Sequence, residues 1–289
     1  MKHNIAERAE ILVNALPYIQ RFQGKTIVVK YGGNAMLNEE LKAAVIQDVI
    51  LMACVGIRTV LVHGGGPEIE ALLKKVGKES RFVNGLRYTD EETMEVVQMV
   101  LCGKLNKDIC SLIQQAGGKA IGLSGLDGAM LKARRLPDLG LVGEIHTVDS
   151  KLLDSILESG HIPVISSVAY GTGEDEGQSL NINADIAAAK IAGALGAEKL
   201  LLMTDVRGIL RNVEDPESLI KEVRRPDLEA LKKEGIVNKG MIPKVDCCIL
   251  ALDGGVKRAH IIDGRIPHAL LIELFTNEGI GTMIEGDEK

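Results

Sequence analysis

The chain has 289 residues and a formal net charge of −6, with 46% apolar and 26% charged residues, which is typical of a globular protein. The acidic balance, with only 2% aromatic residues and no Trp, argues against a nucleic-acid binder. Charged residues interrupt the N-terminus and the most apolar segment, residues 43–62, so neither a secretory signal nor a membrane span is expected. The five cysteines form no CxxC pair, and we expect a reduced, cytoplasmic protein.

Residues 4–22 carry apolar side chains at helical spacing, and Pro17 within them predicts a kinked helix. After residue 25, short β-branched runs alternate with helical patterns. Strands are predicted at 26–30, 59–63, 119–123, 141–148, 162–166, 199–203, 258–262 and 281–284. Helices are predicted at 39–55, 67–76, 90–116, 150–159, 184–195, 226–234, 243–254 and 267–275. This alternation predicts an α/β fold, a three-layer αβα sandwich with a central, mainly parallel sheet.

Glycine clusters follow the first two predicted strands, as Gly32–Gly33 and as Gly64–Gly66. Glycines at the carboxyl end of a strand let backbone N–H groups approach a ligand, and the helix that starts next adds the positive end of its dipole. Lys30 stands at the mouth of the first cluster. Because ligands of open parallel sheets bind outside the carboxyl ends of the strands, this pattern predicts a pocket for two anionic groups.

Common phosphate, nucleotide and metal motifs do not account for this pocket. Gly24-Lys25-Thr26 precedes a strand and lacks the first glycine of a P-loop. No GxGxxG follows a strand, and Ser124 lacks the glycine that a nucleophile elbow requires two residues later. No HExxH or Cys/His cluster predicts a metal site. Phosphate chemistry without a P-loop is the interpretation that remains.

Polar residues also mark three later segments, at Asn181–Asp185, Lys199–Gly208 and Gly240–Lys244. Taken singly, each candidate has an ordinary structural explanation. Asn183 or Asp185 alone fits a helix cap, and Lys244 alone fits a solvated surface lysine. Lys30 alone fits a lysine snorkelling from a strand end, and Arg87 alone fits a surface ion pair. The argument for a site therefore depends on the whole ordered set.

Six motifs follow one another in the order KYGG, HGGGP, NGLR, NINAD, LLMTDVRG and GMIPK. This series resembles the amino acid kinase family over residues 10–284, and within it the branch that acts on N-acetyl-L-glutamate. The resemblance implies that ATP phosphorylates the side-chain carboxylate of N-acetyl-L-glutamate to N-acetyl-L-glutamyl 5-phosphate, the second step of arginine biosynthesis. It implies Mg²⁺ held mainly by phosphates and water, with no metal site built from protein ligands. The alternatives are another amino acid kinase, of the glutamate 5-kinase or aspartokinase type, and a non-catalytic amino-acid sensor on the same fold.

The resemblance also implies a role for individual residues. Lys30 and Lys244 would stabilise the transferring phosphoryl group from opposite sides, while Asp185 holds both ammonium groups. Gly33 would donate its backbone N–H where negative charge grows. The substrate would be bound by Gly65, Gly66, Arg87, Asn181 and Asn183, with Arg87 on its α-carboxylate. The nucleotide would be bound by Thr204, Asp205, Gly208, Gly240 and Met241. His63 stays open between a site residue and a packed strand residue.

The two ends of the chain carry the expectations about assembly and regulation. The resemblance implies a kinked oligomerisation helix at 1–24, an acetylglutamate-binding lobe at 25–180, and a nucleotide-binding lobe at 181–289 with a C-terminal effector region. Relatives with such a helix form hexamers, as trimers of dimers, and are inhibited by arginine. The effector site would include His268, Glu273, Gly279 and Gly281. We expect deletion of residues 1–24 to leave turnover but to abolish arginine inhibition and the ring. Alternatively, the helix packs on its own subunit and these are ordinary helix residues.

Three positions depart from the family pattern. Leu126 stands where relatives often carry a lysine, so that charge is not essential here. Arg207 and Lys239 lie in or beside motifs assigned to the nucleotide, where they add positive charge. None of the three replaces a proposed catalytic group.

Overall fold

The computed structural model describes residues 5–238 and 240–286, with the backbone alone described at residues 5–8 and 34. The strands within these residues are β1 (Thr26–Tyr31), β2 (Arg58–His63), β3 (Phe82–Val83), β4 (Leu86–Arg87), β5 (Ala120–Gly125), β6 (Leu131–Arg135), β7 (Gly143–Val148), β8 (Ile162–Gly171), β9 (Ser179–Asn181), β10 (Lys199–Thr204), β11 (Glu222–Arg224), β12 (Arg258–Asp263) and β13 (Thr282–Glu285). The α-helices are α1 (Ile5–Phe22), α2 (Asn34–Leu37), α3 (Glu39–Cys54), α4 (Gly66–Lys75), α5 (Glu91–Gln98), α6 (Asn106–Gln115), α7 (Lys151–Glu158), α8 (Ala184–Ala194), α9 (Leu228–Lys233), α10 (Ile242–Asp253) and α11 (Ala269–Phe275).

Eleven of the described strands form one sheet, in the order β11-β13-β12-β10-β1-β2-β8-β6-β7, with β5 and β9 also paired to β8. The central pairs β10–β1, β1–β2 and β2–β8 are parallel, whereas β12–β13, β6–β7 and β8–β9 are antiparallel. The central strands are rich in Val, Ile and Leu and are buried at nearly every position. Continuous burial of this kind requires cover on both faces of the sheet. The predicted α/β fold with a mainly parallel sheet is confirmed.

Two groups of helices provide this cover and produce the αβα layers. α3 contacts α6 and α11, and it packs on β2. α8 contacts α10 and packs on β1 and β10. Because α8 begins beside the carboxyl ends of β1 and β2, its first turn is placed at the edge where the glycine clusters lie.

The helix predicted over 90–116 is interrupted in the structure. α5 ends at Gln98, the segment Met99–Leu105 is π-helical, and α6 begins at Asn106. A π-helix has wider turns than an α-helix, is rare, and is frequently found at functional sites. Apolar periodicity does not distinguish the two helix types over seven residues, so the prediction of one continuous α-helix is wrong in its middle.

Several strands were not predicted, and each gives a weak sequence signal. β6 alternates buried Leu131 and Ala133 with exposed basic residues, so its apolar content is low. The strands β3, β4, β9 and β11 are only two or three residues long, which is too short for a period to be recognised. β8 is longer than predicted because its end beyond residue 166 pairs with β6 and β9.

The N-terminal helix α1 is buried at its C-terminal end and exposed before it, among the side chains that the structure describes. Phe22 is 1% exposed, whereas Ile11, Leu12, Val13 and Leu16 are 55%, 74%, 65% and 48% exposed. α1 runs from Ile5 to Phe22 with Pro17 inside it, and the predicted kink stays a prediction. An apolar face of this size on one helix is unusual for a surface that remains solvated. None of the described helices, α1 included, is long and apolar enough to cross a membrane.

The predicted division at residues 24, 180 and 289 stays a prediction. β1 belongs to the predicted substrate lobe and β10 to the predicted nucleotide lobe, yet they are neighbours in one sheet with Lys30 opposite Leu202. The proposed site would therefore lie above a seam between two adjacent strands.

Candidate active site

A pocket of about 320 Å³ opens at the carboxyl ends of β1 and β2, in front of the first turn of α8. Eight of the predicted site residues line it, namely Lys30, Gly33, Gly65, Gly66, Arg87, Asn181, Asn183 and Asp185. They come from four separate segments of the chain, the end of β1, the β2–α4 turn, the β3–β4 hairpin and the β9–α8 junction. The fold therefore brings together residues that are up to 155 positions apart (185 − 30 = 155).

An ion pair between Lys30 and Asp185 connects β1 to α8. The Lys30 Nζ atom lies 2.9 Å from Asp185 Oδ1, and the two side chains are 15% and 21% exposed. A Cβ at Gly32 would lie 3.0 Å from the same Nζ atom, so the glycine leaves room for the ammonium group. The carboxylate fixes the position of the lysine, which presents one positive charge to the pocket.

The two glycine turns, at Gly33 and at Gly65, require glycine for different reasons. Gly33 adopts φ +67°, a left-handed conformation that favours glycine, and a Cβ there would meet open space. A Cβ at Gly65 would instead lie 2.7 Å from Leu101 Cδ2 and would overlap Leu105 as well. Both leucines belong to the π-helical segment. The second turn therefore packs closely against that segment, which supports the backbone amides of the turn.

The Asn side chains are already used within the protein. The Asn183 Oδ1 atom accepts hydrogen bonds from the N–H groups of Asp185 and Ile186, at 2.9 and 3.2 Å, and so caps α8. The Asn181 Nδ2 atom donates to Thr89 Oγ1 at 3.0 Å, and Thr89 donates to the Arg87 carbonyl at 2.8 Å. The capping role that the sequence suggested for Asn183 is confirmed, and the substrate contacts of both asparagines stay predictions.

His63, left open by the sequence, is a packed strand residue. Its Nδ1 lies 2.9 Å from the Gly64 carbonyl, and its Nε2 lies 3.2 Å from Asn106 Nδ2. Burial lowers the pKa of His63 to about 4, so the ring is neutral near pH 7. A neutral ring donates from Nδ1–H and accepts at Nε2, which matches both contacts. His63 supports the glycine turn from below and carries no charge to the pocket.

Lys244 is not among the described residues that line this pocket. Its Nζ atom lies 3.5 Å from the Gly240 carbonyl, at the start of its own helix α10. Three residues later on α10, the Cys247 Sγ atom lies 3.0 Å from the Asp185 carbonyl oxygen. Residues three apart share one face of a helix, so Lys244 and Cys247 lie on the same face of α10. Among the described residues, however, it is Lys30 that pairs with the Asp185 carboxylate. Of the two predicted contacts of Asp185, the structure shows the one with Lys30, and the one with Lys244 stays a prediction.

The predicted nucleotide residues lie beside the pocket and do not line it. Thr204 ends β10, which adjoins β1, and Asp205 follows it, while Gly240 and Met241 precede α10. Gly208 has φ +146°, and a Cβ there would lie 2.9 Å from Leu219 Cδ1, so packing also requires this glycine. Their roles stay predictions. Lys239 lies outside the described residues.

The sequence matches the amino acid kinase family over residues 25–263. The chain belongs to the amino acid kinase family. The resemblance drawn from the six motifs is confirmed, since the match includes the pocket and most of the sheet.

Curated relatives specify the branch of this family that is most similar. The acetylglutamate kinase of Clostridium kluyveri is 57% identical over 284 residues, which is 97% of this chain and 99% of that protein. The acetylglutamate kinase of Synechococcus elongatus is 58% identical over 283 residues, covering 97% and 93% of the two chains. This amino acid kinase is therefore similar to acetylglutamate kinases over nearly its whole length.

Solved structures support the fold. The N-acetylglutamate synthase of Neisseria gonorrhoeae, complexed with coenzyme A and N-acetyl-glutamate, matches 97% of this chain with a TM-score of 0.84 and 28% identity. This chain spans 64% of that synthase. The carbamate kinase of Giardia matches 91% of the chain with a TM-score of 0.67 and, at 18% identity, supports the amino acid kinase fold alone.

This amino acid kinase has a second pocket, of about 360 Å³, between the end of α1 and the C-terminal segment. Three of the four predicted effector residues, Glu273, Gly279 and Gly281, line it. The Glu273 carboxylate is 2.6 Å from His260 Nδ1, and it accepts hydrogen bonds from the N–H groups of Ile280 and Gly281 at 2.8 and 3.2 Å. Part of the glycine turn expected to receive a ligand carboxylate is thus bound to Glu273.

Two residues of this second pocket were missed in the sequence. Lys199, 6% exposed, lies with its Nζ atom 3.1 Å from His260 Nε2, so a Lys–His–Glu chain connects β10, β12 and α11. Burial lowers the pKa of Lys199 to about 8 and also lowers the pKa of His260. The available signal was the presence of two ionisable residues at buried positions of central strands, where apolar side chains are the rule.

His268 does not line this second pocket, and its predicted effector role stays a prediction. Its Nδ1 atom is 2.6 Å from Oδ1 of Asp48, a residue of α3 that is fully buried. His268 is the residue immediately before α11, and its backbone has a left-handed conformation, with φ 58° and ψ 30°. The backbone there points the ring at α3, while His260 takes the position beside Glu273.

Asp48→Asn is expected to change how stability depends on pH. Burial raises the pKa of Asp48 from 3.8 to about 6, against the lowering effect of His268. The native state then binds a proton that the unfolded chain has released, so this contribution is complete below about pH 4 and is lost as the pH rises through 6. The unfolding free energy of the wild type minus that of the variant should fall by on the order of 1–3 kcal/mol between pH 4 and pH 7.

Urea unfolding of both proteins at several pH values measures this difference. Asp154→Asn is a suitable control, because Asp154 is a carboxylate 43% exposed in its ion pair with Arg58. A difference that stays constant or grows with pH would contradict the assignment.

Proposed function

We propose that this chain uses ATP to phosphorylate the side-chain carboxylate of N-acetyl-L-glutamate, a step of arginine biosynthesis. The observation that carries the proposal is the convergence of the Lys30–Asp185 pair, two glycine turns and Arg87 on one pocket. The similarity to acetylglutamate kinases at 57% and 58% identity supports the choice of substrate.

In the proposed reaction, a carboxylate oxygen of the substrate side chain forms a bond to the γ-phosphorus of ATP. The bond between that phosphorus and the β–γ bridging oxygen breaks, and ADP leaves with the electron pair. A carboxylate of this kind has a pKa near 4.3 and is ionised at neutral pH, so no general base is needed. The main requirement is to neutralise charge and to align the reacting groups.

The residues of the pocket meet this requirement. Lys30, fixed by Asp185, places a positive charge where the phosphoryl group would pass. The glycine turns offer backbone N–H donors, and α8 points its N-terminal end at the pocket. On the nucleotide side, Lys244 would move from the Gly240 carbonyl towards the phosphates, a change of side-chain rotamer at the start of α10. ATP would be bound beyond β1, over the ends of β10 and α10.

Mg²⁺ would be bound by phosphate oxygens of ATP and by water, and it would supply charge neutralisation. We assign no side chain of this chain to it. The donors around the pocket are ammonium, guanidinium and backbone N–H groups, which suit phosphate and carboxylate oxygens and not a cation. The donor set therefore fits a metal that arrives with the nucleotide.

Trapping of the acyl phosphate by hydroxylamine tests the proposal directly. The purified chain is incubated with ATP, Mg²⁺ and one acceptor, either N-acetyl-L-glutamate, glutamate, aspartate or carbamate. We expect ATP-dependent formation of a hydroxamate with N-acetyl-L-glutamate and little with the others. Product from glutamate or aspartate alone would favour a glutamate 5-kinase or an aspartokinase, and no product from any acceptor would favour a non-catalytic sensor.

Feedback control by arginine, a hexameric ring and a cytoplasmic location complete the proposal. The second pocket has an anionic residue, Glu273, for a guanidinium group, and it has cations for a carboxylate in Arg21, Lys199 and Lys221. The Tyr18 hydroxyl donates a hydrogen bond to Asn277 Oδ1, which connects α1 to the same pocket. An exposed apolar face on α1 beside a pocket of this chemistry is what a coupled assembly and effector site needs.

A further inference from the structure

Arg87, the residue proposed to bind the α-carboxylate of the substrate, is held by neighbours that the sequence did not identify. Although β4 belongs to a two-stranded hairpin outside the main sheet, the Arg87 side chain is only 9% exposed. Its Nη1 atom donates to Glu70 Oε2 at 2.9 Å and to Ser80 Oγ. Its Nη2 atom donates to the Gly66 carbonyl at 3.2 Å. The guanidinium carbon lies 4.7 Å from the centre of the Phe82 ring.

The donors of Arg87 divide into two groups. A guanidinium has five N–H donors. The two on Nη1 are used by Glu70 and Ser80, and one on Nη2 is used by Gly66. Among the contacts of the described residues, this leaves the Nε–H group and one Nη2–H group. Two donors are enough for a two-point contact with a carboxylate, the geometry that arginine favours.

Glu70 is placed to fix this orientation without competing for it. It lies on α4, one turn after Gly66, so a single helix holds the guanidinium at two points. Hydrogen bonds from Ser80 and from Arg87 lower the pKa of Glu70, which is therefore anionic at neutral pH. Because it binds Nη1, it leaves the Nε and Nη2 donors to a ligand.

We propose that Glu70 is a positioning residue that sets the preference for substrates with a free α-carboxylate. It acts through Arg87, together with Ser80 and the Phe82 ring, and it does not touch the substrate. This inference rests on the proposed function. A guanidinium fixed in advance loses less conformational freedom on binding, so the effect falls on substrate affinity and not on the phosphoryl transfer step.

Steady-state kinetics of Glu70→Ala and Glu70→Gln test this role. Because the hydrogen bond from Arg87 to Glu70 is charge-assisted, we expect Glu70→Ala to raise the KM for N-acetyl-L-glutamate by about tenfold. The KM for ATP should change by less than about twofold, because the ATP side lies across β1. Glu70→Gln keeps an acceptor for Nη1 and should recover part of the loss. Asp108→Ala, which breaks an exposed 2.6 Å pair with Lys104, is the matched control and should leave both KM values unchanged.

A second ligand identifies which group of the substrate Glu70 serves. 4-Acetamidobutanoate is N-acetylglutamate without its α-carboxylate, and it is measured as a competitive inhibitor. If Glu70 acts through Arg87 on the α-carboxylate, Glu70→Ala should leave this inhibition constant within about twofold of wild type while the KM for N-acetyl-L-glutamate rises. An equal loss for both ligands would mean that Glu70 supports the pocket in general, and it would overturn the proposal.

Two other results also count against it. An unchanged KM in Glu70→Ala would make the Glu70–Arg87 contact an ordinary surface ion pair. A lower KM would mean that Glu70 competes with the substrate for Arg87. Failure of the wild type to form any acyl phosphate would instead remove the proposed function itself, so the two failures are distinguishable.

Discussion

Lys30→Met is expected to lower kcat by roughly 10² to 10³-fold, the range found when a preorganised charge donor is removed from a transition state. In this structure the Lys30 ammonium group is the positive charge that is fixed by Asp185 in the pocket. Methionine preserves most of the length of the side chain but cannot neutralise the phosphoryl oxygens. Since the interaction strengthens as charge develops, kcat and kcat/KM should fall together.

Lys257→Met controls for the loss of a lysine from an ion pair. Lys257 lies 2.8 Å from Glu198, is 64% exposed and is remote from the pocket, so its replacement should leave kcat unchanged. Asp185→Asn should also reduce kcat, and the double variant should be little worse than Lys30→Met because the two residues act as one unit. Urea midpoints of all variants distinguish a catalytic loss from unfolding. A fall in kcat of less than about tenfold in a folded Lys30→Met protein would contradict the assignment.

Deletion of residues 1–16 is expected to abolish the proposed arginine inhibition and to convert the proposed hexameric ring into dimers, with turnover retained. This truncation is shorter than the 1–24 deletion expected from the sequence, and the structure gives the reason. Phe22 is buried, its ring lies 5.2 Å from Lys199 Nζ, and removing it would expose the core beneath the second pocket. The shorter deletion removes the exposed apolar face of α1 and keeps Tyr18, Arg21 and Phe22.

Analytical ultracentrifugation and arginine titration of the truncated protein measure the two effects separately. Glu273→Gln in the full chain is the complementary variant, since it weakens the anionic partner of a guanidinium and leaves α1 intact. It should lose inhibition by arginine while keeping the ring. A truncated protein that is dimeric and still inhibited would show that the second pocket works without assembly, and our account of the coupling would fail.

The sequence was sufficient for the central parallel strands of the sheet and for the glycine turns of the main pocket. These features depend on local patterns, such as the buried run before Lys30 and the cluster Gly64–Gly66, and on the rule that parallel strands present their carboxyl ends at one edge. Asn183 was correctly seen as a helix cap because capping is also local. The family assignment depended on the order of the motifs and was confirmed by comparison.

The sequence was insufficient wherever a contact depends on the tertiary arrangement of distant segments. His268 was assigned to the effector region from the family resemblance, and its contact with Asp48, 220 positions earlier, could not be foreseen. His260 is the histidine that contacts Glu273 in that pocket, and it was hidden inside an apolar strand. Glu70 has the spacing of a solvated helix residue, and only the folded hairpin brings Arg87 to it.

The π-helical segment Met99–Leu105, which packs against Gly65, keeps this part of the chain from forming one regular α-helix. Removing one residue from Met99–Leu105 would allow α5 and α6 to join as a single α-helix, with better backbone hydrogen bonds. The same deletion would change the spacing of the side chains that face Gly65, because Leu101 and Leu105 both pack against it from this segment. A change that gives the helix better hydrogen bonds would thus weaken the packing under the Gly65 turn. At this position, a more stable helix and a well-held anion site therefore oppose each other.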